Sequence, residues 1–263
     1  MLIRSWNLFH GNSYPPGPTS YLEEMARLAS ADHPDVLLLQ EVPVWALGRL
    51  GTWSGMIAVA DVAQRPGLGP LPIPAELGRR LTALNPGLLR SAFAGQGNAT
   101  LLGEGLRTTA HDVVTLNSPE FRRAEAQRLG LDTLARLAWA KERRICQAVR
   151  AFRDGGPPLV IANLHTTSSP GDPRIPEAEL RRAAAWVDSF AGEGDVIVLG
   201  GDFNVEPHSG ATLPGYSDPG PAGIDHVLVR GAQPSPLRAW PDERRTRDGI
   251  LFSDHTPIEL EIP

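Results

Sequence analysis

Hydrophobic positions along the chain follow two periods that alternate. Residues 1–7 alternate by twos and end in Asn7, which predicts a short strand feeding a loop. From 19 to 31, Leu22, Met25, Ala26, Leu28 and Ala29 recur at helical spacing. Thr19 or Ser20 is the expected cap, Glu23 and Glu24 sit in the first turn, and Asp32-His33-Pro34 breaks the helix. Val36-Leu37-Leu38-Leu39 is then a solid apolar run, the pattern of a strand covered on both faces, and it ends in Gln40-Glu41. Strand, helix and strand in this order make a unit of the α/β class.

The same order returns in the second half. Residues 145–152 predict a strand, Asp154-Gly155-Gly156 a turn and 159–164 its hairpin partner. Residues 176–190 are helical, with Leu180, Ala183, Ala184, Val187 and Phe190 apolar. Val196-Ile197-Val198-Leu199 predicts another buried strand, ending in Gly200-Gly201-Asp202, and 224–229 and 256–262 predict the last strands. No internal repeat is visible. Two stretches break the pattern: 62–97 is rich in proline and glycine with a short helix at 75–84, and 119–144 is helix-like and rich in arginine. Polar residues at strand ends span Asn7 to His255, a spread easiest to gather in one domain, 1–263, that carries those two stretches as insertions.

Composition narrows the class. Hydrophobic residues make up 41% of the 263 and the net charge is only −5, so the chain is globular rather than disordered. No apolar run approaches the ~18 residues of a membrane span. The N-terminal residues meet polar positions too soon for a signal peptide, and the single cysteine, Cys146, excludes an internal disulfide framework. The expectation is a soluble cytoplasmic protein. Lys141 is the only lysine among 25 basic residues, which fits a high-GC genome better than selection for phosphate-binding forks. The acidic balance argues against nonspecific coating of nucleic acid and leaves room for a local basic groove.

Candidate chemistry collects at strand ends. Asn7, Glu41, Asp202, Asn204 and Asp254 all offer oxygen, with no cysteine cluster and no closely spaced histidine pair. That inventory suits a hard ion, Mg²⁺ or Mn²⁺, rather than structural zinc. Asn163 and His165 fall two apart on one strand face, as do Asp202 and Asn204. Gly200 and Gly201 are expected to let the backbone pass close to a ligand. His165 and His255 can transfer protons or hydrogen-bond a phosphoryl group.

The ordered series SWN, LLLQE, NLH, GGDFN, IDHVLV and SDH resembles the endonuclease/exonuclease/phosphatase family across nearly the whole chain. The resemblance implies an α/β fold, a four-layer sandwich of two mixed β-sheets flanked by helices, with the site at one end. It also implies metal-dependent phosphoester hydrolysis. Residue by residue, Asn7 and Glu41 match the principal metal site, with Glu41 the direct ligand and Asp254 a further acid near the metal. His165 matches a histidine that hydrogen-bonds the scissile phosphate. Asp202 and Asn204 match the pair that orients the attacking water and holds a phosphate oxygen. His255 matches the histidine at the reacting phosphate, and Asp225 the acid that fixes its tautomer. Arg144 matches a phosphate-contacting arginine of some relatives or is one surface arginine among many. Asn98, in Gly97-Asn98-Ala99, falls on a matching strand and is a second candidate for substrate binding.

Departures limit the substrate. The asparagine-x-arginine signature of abasic-site enzymes is absent after Asn7, as are the paired cysteines of secreted deoxyribonucleases and the lipid-recognition motifs of inositol phosphatases. The leading expectation is a Mg²⁺-dependent phosphodiesterase acting on nucleic acid, with a phospholipid or small phosphoester as the alternative substrate. A calcineurin-like metallophosphoesterase would need an Asp-x-His near the N-terminus and a GNH motif, and has neither here. A noncatalytic binding module is disfavoured because the chemical residues are intact. No obligate protein partner is evident. Arg65, Arg79, Arg80 and Arg90 in one insertion, and Arg122, Arg123 and Arg128 in the other, form basic walls around a polyanion or are solvated helix faces. His226 is expected to point away from Asp225, and His10, His33, His111 and His208 are expected at the surface.

Overall fold

Alternation along each strand sends successive side chains to opposite faces, and both faces of the central strands of the large sheets are covered. The computed structural model describes residues 1–68, 71–84, 93–169, 172–205, 213–220 and 223–263. Strands of the large sheets are, in chain order, β1 (Leu2–Asn7), β2 (Val36–Val42), β3 (Ile57–Gln64), β4 (Gln96–Leu102), β5 (Arg107–Thr115) and β6 (Ile145–Phe152). They continue with β7 (Leu159–His165), β8 (Val196–Asp202), β9 (Asp225–Arg230), β10 (Arg238–Ala239) and β11 (Ile258–Glu261). One sheet runs β10-β11-β1-β2-β4-β3 and the other β9-β8-β7-β6-β5. Helices α1 (Leu22–Ser30), α2 (Val44–Leu47), α3 (Leu50–Ser54) and α4 (Ala75–Leu84) belong to the first half, and α5 (Pro119–Arg128), α6 (Thr133–Trp139) and α7 (Arg174–Phe190) to the second. The result is a sandwich of two mixed sheets with helices on its outer faces.

Each sheet is centred on a parallel pair: β1 with β2 across α1, and β7 with β8 across α7. The neighbours β11, β4, β6 and β9 are antiparallel to these pairs. Ile3, Leu38, Ile161, Val198, Val227 and Ile258 interlock between the sheets. Trp6, Leu37, Leu39 and Leu101 face α1 and its neighbours, while Ala148, Val160, Ala162 and Leu199 face α7. Helix α1 starts one residue past the expected caps: Tyr21 occupies the N-cap position without a side-chain bond. The edge strand β5 shows no apolar alternation and is almost wholly exposed, so its pairing with β6 rather than burial defines it.

The layer between the sheets changes character along its length. Ile3 gives way to Ser5 and Asn7, Leu38 to Gln40, Ile161 to Asn163 and His165, and Val198 to Gly200 and Asp202. Buried amides knit this polar half together. Gln40 Nε2 donates to Asn163 Oδ1 at 2.8 Å, and Asn163 Nδ2 donates to the carbonyls of Ala99 and Leu39 at 2.9 and 3.1 Å. Thr100 Oγ1 reaches Gln147 Oε1 at 2.6 Å, and Gln147 Nε2 reaches Asp61 Oδ2 at 2.6 Å. Bonded in this way, polar groups tolerate burial and hold the sheets in register under the strand ends.

Arg4 anchors the outer face of β1. It is fully buried, forks onto Asp32 at 2.6 and 2.8 Å, and donates Nε to Glu259 at 2.9 Å. The guanidinium carbons of Arg4 and Arg244 lie over the Trp240 ring, 4.5 and 3.6 Å from its centre. The bond from Arg4 holds the Asp32 carboxyl down at about 2, against the penalty of burial. Burial opposes charge on Glu259 as well, yet bonds from Trp240 and Arg4 keep its carboxyl below the usual range. Both carboxyls are depressed in the folded state, so their stabilisation is complete above the ordinary carboxylate range near pH ~4 and is lost as pH falls toward 2. Arg4→Met should therefore lower unfolding stability by about 3 kcal/mol at neutral pH, because Asp32 and Glu259 lose their closest cation and Glu259 keeps only the longer contacts to Arg244 and Arg238 at 3.6 and 3.7 Å. It should also flatten the acid limb of a urea-midpoint series. A variant with the wild-type pH profile would contradict this.

Candidate active site

The ends of both parallel pairs meet. Asn7 lies at the end of β1 beside Gln40, and His165 at the end of β7 beside Asp202. Local backbone re-aims the side chains there. Phe9, His10, Glu41, Asn204 and Ser253 all have positive φ, between 47° and 60°, a region that costs non-glycine residues free energy. Their clustering at one end of the sandwich marks a place where geometry is held by its surroundings. Ser253 is pinned by its Oγ, which donates to the Asn7 carbonyl at 2.7 Å, and by its amide, which donates to the Asn12 carbonyl at 2.9 Å. The loop carrying Asp254 and His255 is thereby tied to the segment that follows Asn7.

Asn7 Nδ2 donates to Asp202 Oδ2 at 2.9 Å and to Glu41 Oε1 at 3.3 Å, and Asn7 Oδ1 accepts from the Phe9 amide. Asn7 therefore grips two carboxylates through its nitrogen, whereas the sequence suggested an oxygen ligand. Asp202 Oδ1 accepts the Asn204 amide at 3.0 Å, and Asn204 Nδ2 donates to the Thr166 carbonyl at 3.1 Å. Burial, and then the Asp225 carboxylate, push the Asp202 carboxyl well up. Asp254 is also raised, by burial and by the charges of Glu41 and Asp225.

His255 Nδ1 and Asp225 Oδ2 lie 2.8 Å apart. Burial disfavours the imidazolium, but the bond to Asp225 and the charges of Asp225, Asp202 and Asp254 overcome it and raise His255 to about 10. Its other nitrogen, Nε2, faces Asp202 at 3.7 Å and Asp254 at 3.9 Å. His165 is the opposite case. Burial, and then the charges of Arg144, His255 and His10, hold its pKa well below the usual histidine value. Arg144 Nη1 stands 2.9 and 3.1 Å from the two His165 ring nitrogens, and Nη2 donates to Glu142 at 2.7 Å. One imidazolium and one neutral imidazole thus face the same carboxylates.

A family model described as the endonuclease/exonuclease/phosphatase family matches residues 5–255. The chain belongs to that family. No curated protein matches it significantly. Solved structures of the same fold include a functionally unknown conserved protein from Enterococcus faecalis V583, at 15% identity and TM-score 0.69, covering 100% of this chain and 99% of the other. They also include the endonuclease/exonuclease/phosphatase from Beutenbergia cavernae DSM 12333, at 18% identity and TM-score 0.65, with 100% and 71% covered. A third is D. rerio TDP2 complexed with single strand DNA product, at 13% identity and TM-score 0.66, with 100% and 98% covered.

Endonuclease/exonuclease/phosphatase enzymes are phosphoesterases that depend on a divalent metal, and the residues here fit one. Glu41, Asp202 and Asp254 turn carboxylates into one basin, where burial first and then the neighbouring carboxylates raise Asp202 and Asp254. A hard dication bound through oxygen ligands would favour the ionised form of such carboxyls. Asp202, Asp225 and His255 also bring ligand atoms within 4.8 Å of one another, but Asp225 and His255 already share their hydrogen bond. Glu41 and Asp254 are the carboxylates outside that pair that could hold an ion.

Other expected residues fall differently. Asn98 is directed into the sheet interface, its Nδ2 near the carbonyls of Asn163 and Ile145 at 3.3 and 3.4 Å, so it bridges the sheets instead of reaching for substrate. The close approach that needs glycine is made within the protein: a side chain at Gly200 would strike Leu38 of the facing sheet, and one at Gly201, φ 137°, the Leu164 carbonyl. His226 is buried against Phe203, ring centroids 5.2 Å apart, and His111 pairs with Asp61 at 2.6 Å. His10 departs from its expected surface position. It is 8% exposed, with Nε2 3.2 Å from Glu41 Oε2. The signal in the sequence was Gly11, whose positive φ completes the turn that carries His10 inward. His208 and Arg90 lie outside the described residues.

The long connections 65–95 and 116–144 both leave the sandwich at the site end, since Gln64 pairs with Gln96 and Thr115 with Ile145. Within them Arg79 is paired with Glu76 and Arg128 with Glu125, while Arg122 and Arg123 line a surface cavity of about 200 Å³ beside Trp139.

Proposed function

We propose that this protein is a Mg²⁺-dependent phosphodiesterase, with Mn²⁺ as a substitute, and that it cleaves nucleic acid strands. The observation that carries the reading is the pairing of His255 with Asp225 at 2.8 Å directly across from Asp202. Glu41 and Asp254 would hold the ion, which when bound neutralises charge developing on the phosphoryl oxygens. Asp202 accepts a proton from the attacking water, a task suited to a carboxyl raised by burial. Asn204 and Asn7 fix the orientation of Asp202. His255, held as imidazolium by Asp225, hydrogen-bonds a phosphate oxygen. His165 stays neutral and donates to the phosphate, with Arg144 beside it supplying fixed positive charge. The P–O bond opposite the incoming water breaks, and the leaving oxygen takes a proton from solvent. The D. rerio TDP2 structure with single strand DNA product, a fold relative, supports a nucleic acid strand as substrate.

A substrate panel tests this. Single-stranded DNA, RNA, a phospholipid vesicle and methyl p-nitrophenyl phosphate should be offered with Mg²⁺ and with excess chelator. Strand cleavage that vanishes with chelator is expected. Turnover confined to the phospholipid would overturn the substrate, and turnover surviving chelation would overturn the chemistry.

A further inference from the structure

Two residues beyond Glu41 the chain leaves β2 at Pro43 and forms one wall of a cleft of about 370 Å³. His10 closes the end of the cleft nearest the site: it lines the cleft and also stands 3.2 Å from Glu41. Trp45 and Trp53 line the floor, both half-buried, edge to face with centroids 6.3 Å apart. Arg49 and Arg79 flank them, both exposed, with guanidinium carbons 5.4 and 5.8 Å from the Trp45 ring. At that range attraction to the ring is weak, and an exposed pair such as Arg79 with Glu76 is worth little, so either arginine can turn toward an anion. The outer wall carries Glu23 and Glu24.

These features select among ligands. Indole faces with guanidinium groups beside them suit a planar aromatic group that carries an anion. The volume lies at the small end of the ~300–1,000 Å³ typical of ligand sites, enough for one such unit. Glu24 would repel a run of phosphates, and Glu23, paired with Arg27 at 2.8 Å, offers it no free cation, which argues against a track for a polyanion. We infer that this cleft is a subsite for the single nucleoside next to the scissile phosphate, its base against Trp45 and Trp53 and its outer phosphate toward Arg49 and Arg79. The inference rests on the nucleic acid reading above and specifies how one part of that substrate is held.

The test compares a dinucleotide with methyl p-nitrophenyl phosphate, which has no nucleoside. Base stacking on an aromatic side chain is worth ~1–3 kcal/mol, so Trp45→Ala should raise KM for the dinucleotide roughly 5- to 150-fold. Its kcat, and both constants for the small ester, should stay within about twofold of wild type. Trp45→Tyr should recover most of the loss, and Arg49→Ala should raise the same KM more modestly. An unchanged dinucleotide KM in Trp45→Ala, or an equal loss on both substrates, would overturn the subsite. A wild type that turns over neither substrate would overturn the hydrolase reading instead. The subsite is then judged by quenching of tryptophan fluorescence on dinucleotide titration, where quenching lost in Trp45→Ala supports it and none in wild type refutes it.

Discussion

His255→Ala should lower kcat/KM for a phosphodiester by on the order of 10²–10³-fold, the usual worth of a hydrogen-bond donor aimed at charge that develops in the transition state. The ring is fixed from behind by Asp225 at 2.8 Å, and its free nitrogen faces Asp202 and Asp254, where the reacting phosphate would sit. His165 cannot take over that role, since burial and then the charge of Arg144 hold its pKa well below the usual histidine value. Asp225→Asn keeps the shape and removes the charge that sustains the imidazolium, and should be impaired less than His255→Ala but clearly. Where an acid orients the histidine of a serine protease, the same change costs on the order of 10⁴-fold. Steady-state kinetics beside circular dichroism distinguishes this from unfolding. Near-wild-type turnover by a folded His255→Ala would remove the residue from the mechanism.

Glu41→Gln should cost on the order of 10³-fold or more in turnover, the equivalent of several kcal/mol of charge stabilisation at the phosphoryl oxygens. The amide keeps the shape of the carboxylate and can still meet Asn7 and His10, so the fold should persist. It removes one negative charge from a basin whose remaining carboxyls, Asp202 and Asp254, are raised by burial and then by neighbouring carboxylates. Ion affinity should therefore fall along with activity.

The sequence made some of this legible and not the rest, for physical reasons. Strands β2 and β8 announce themselves because burial on both faces demands continuous apolar runs, and the residues closing those runs, Glu41 and Asp202, do converge. Asn163 and His165 share a face because a strand has period two. Strand β5 is silent because an exposed edge needs no apolar pattern. His10 is silent because its inward position depends on a turn through consecutive positive φ values at Phe9, His10 and Gly11, which no periodicity encodes. Asn98 and Asn7 were read by residue type, whereas their hydrogen-bond partners come from distant strands and decide which end of each amide faces the site. The cleft at Trp45 needs α1, α3 and α4 placed together, and that is tertiary information.

The most direct measurement is a Mg²⁺ titration of chelator-stripped enzyme, following hydrolysis of methyl p-nitrophenyl phosphate for wild type and Glu41→Gln side by side. Wild type should be inactive without the ion and recover along a saturable curve, while Glu41→Gln should need a much higher concentration and plateau far lower. Full wild-type turnover in excess chelator, or superimposable curves for the two proteins, would contradict a metal-dependent phosphodiesterase centred on Glu41.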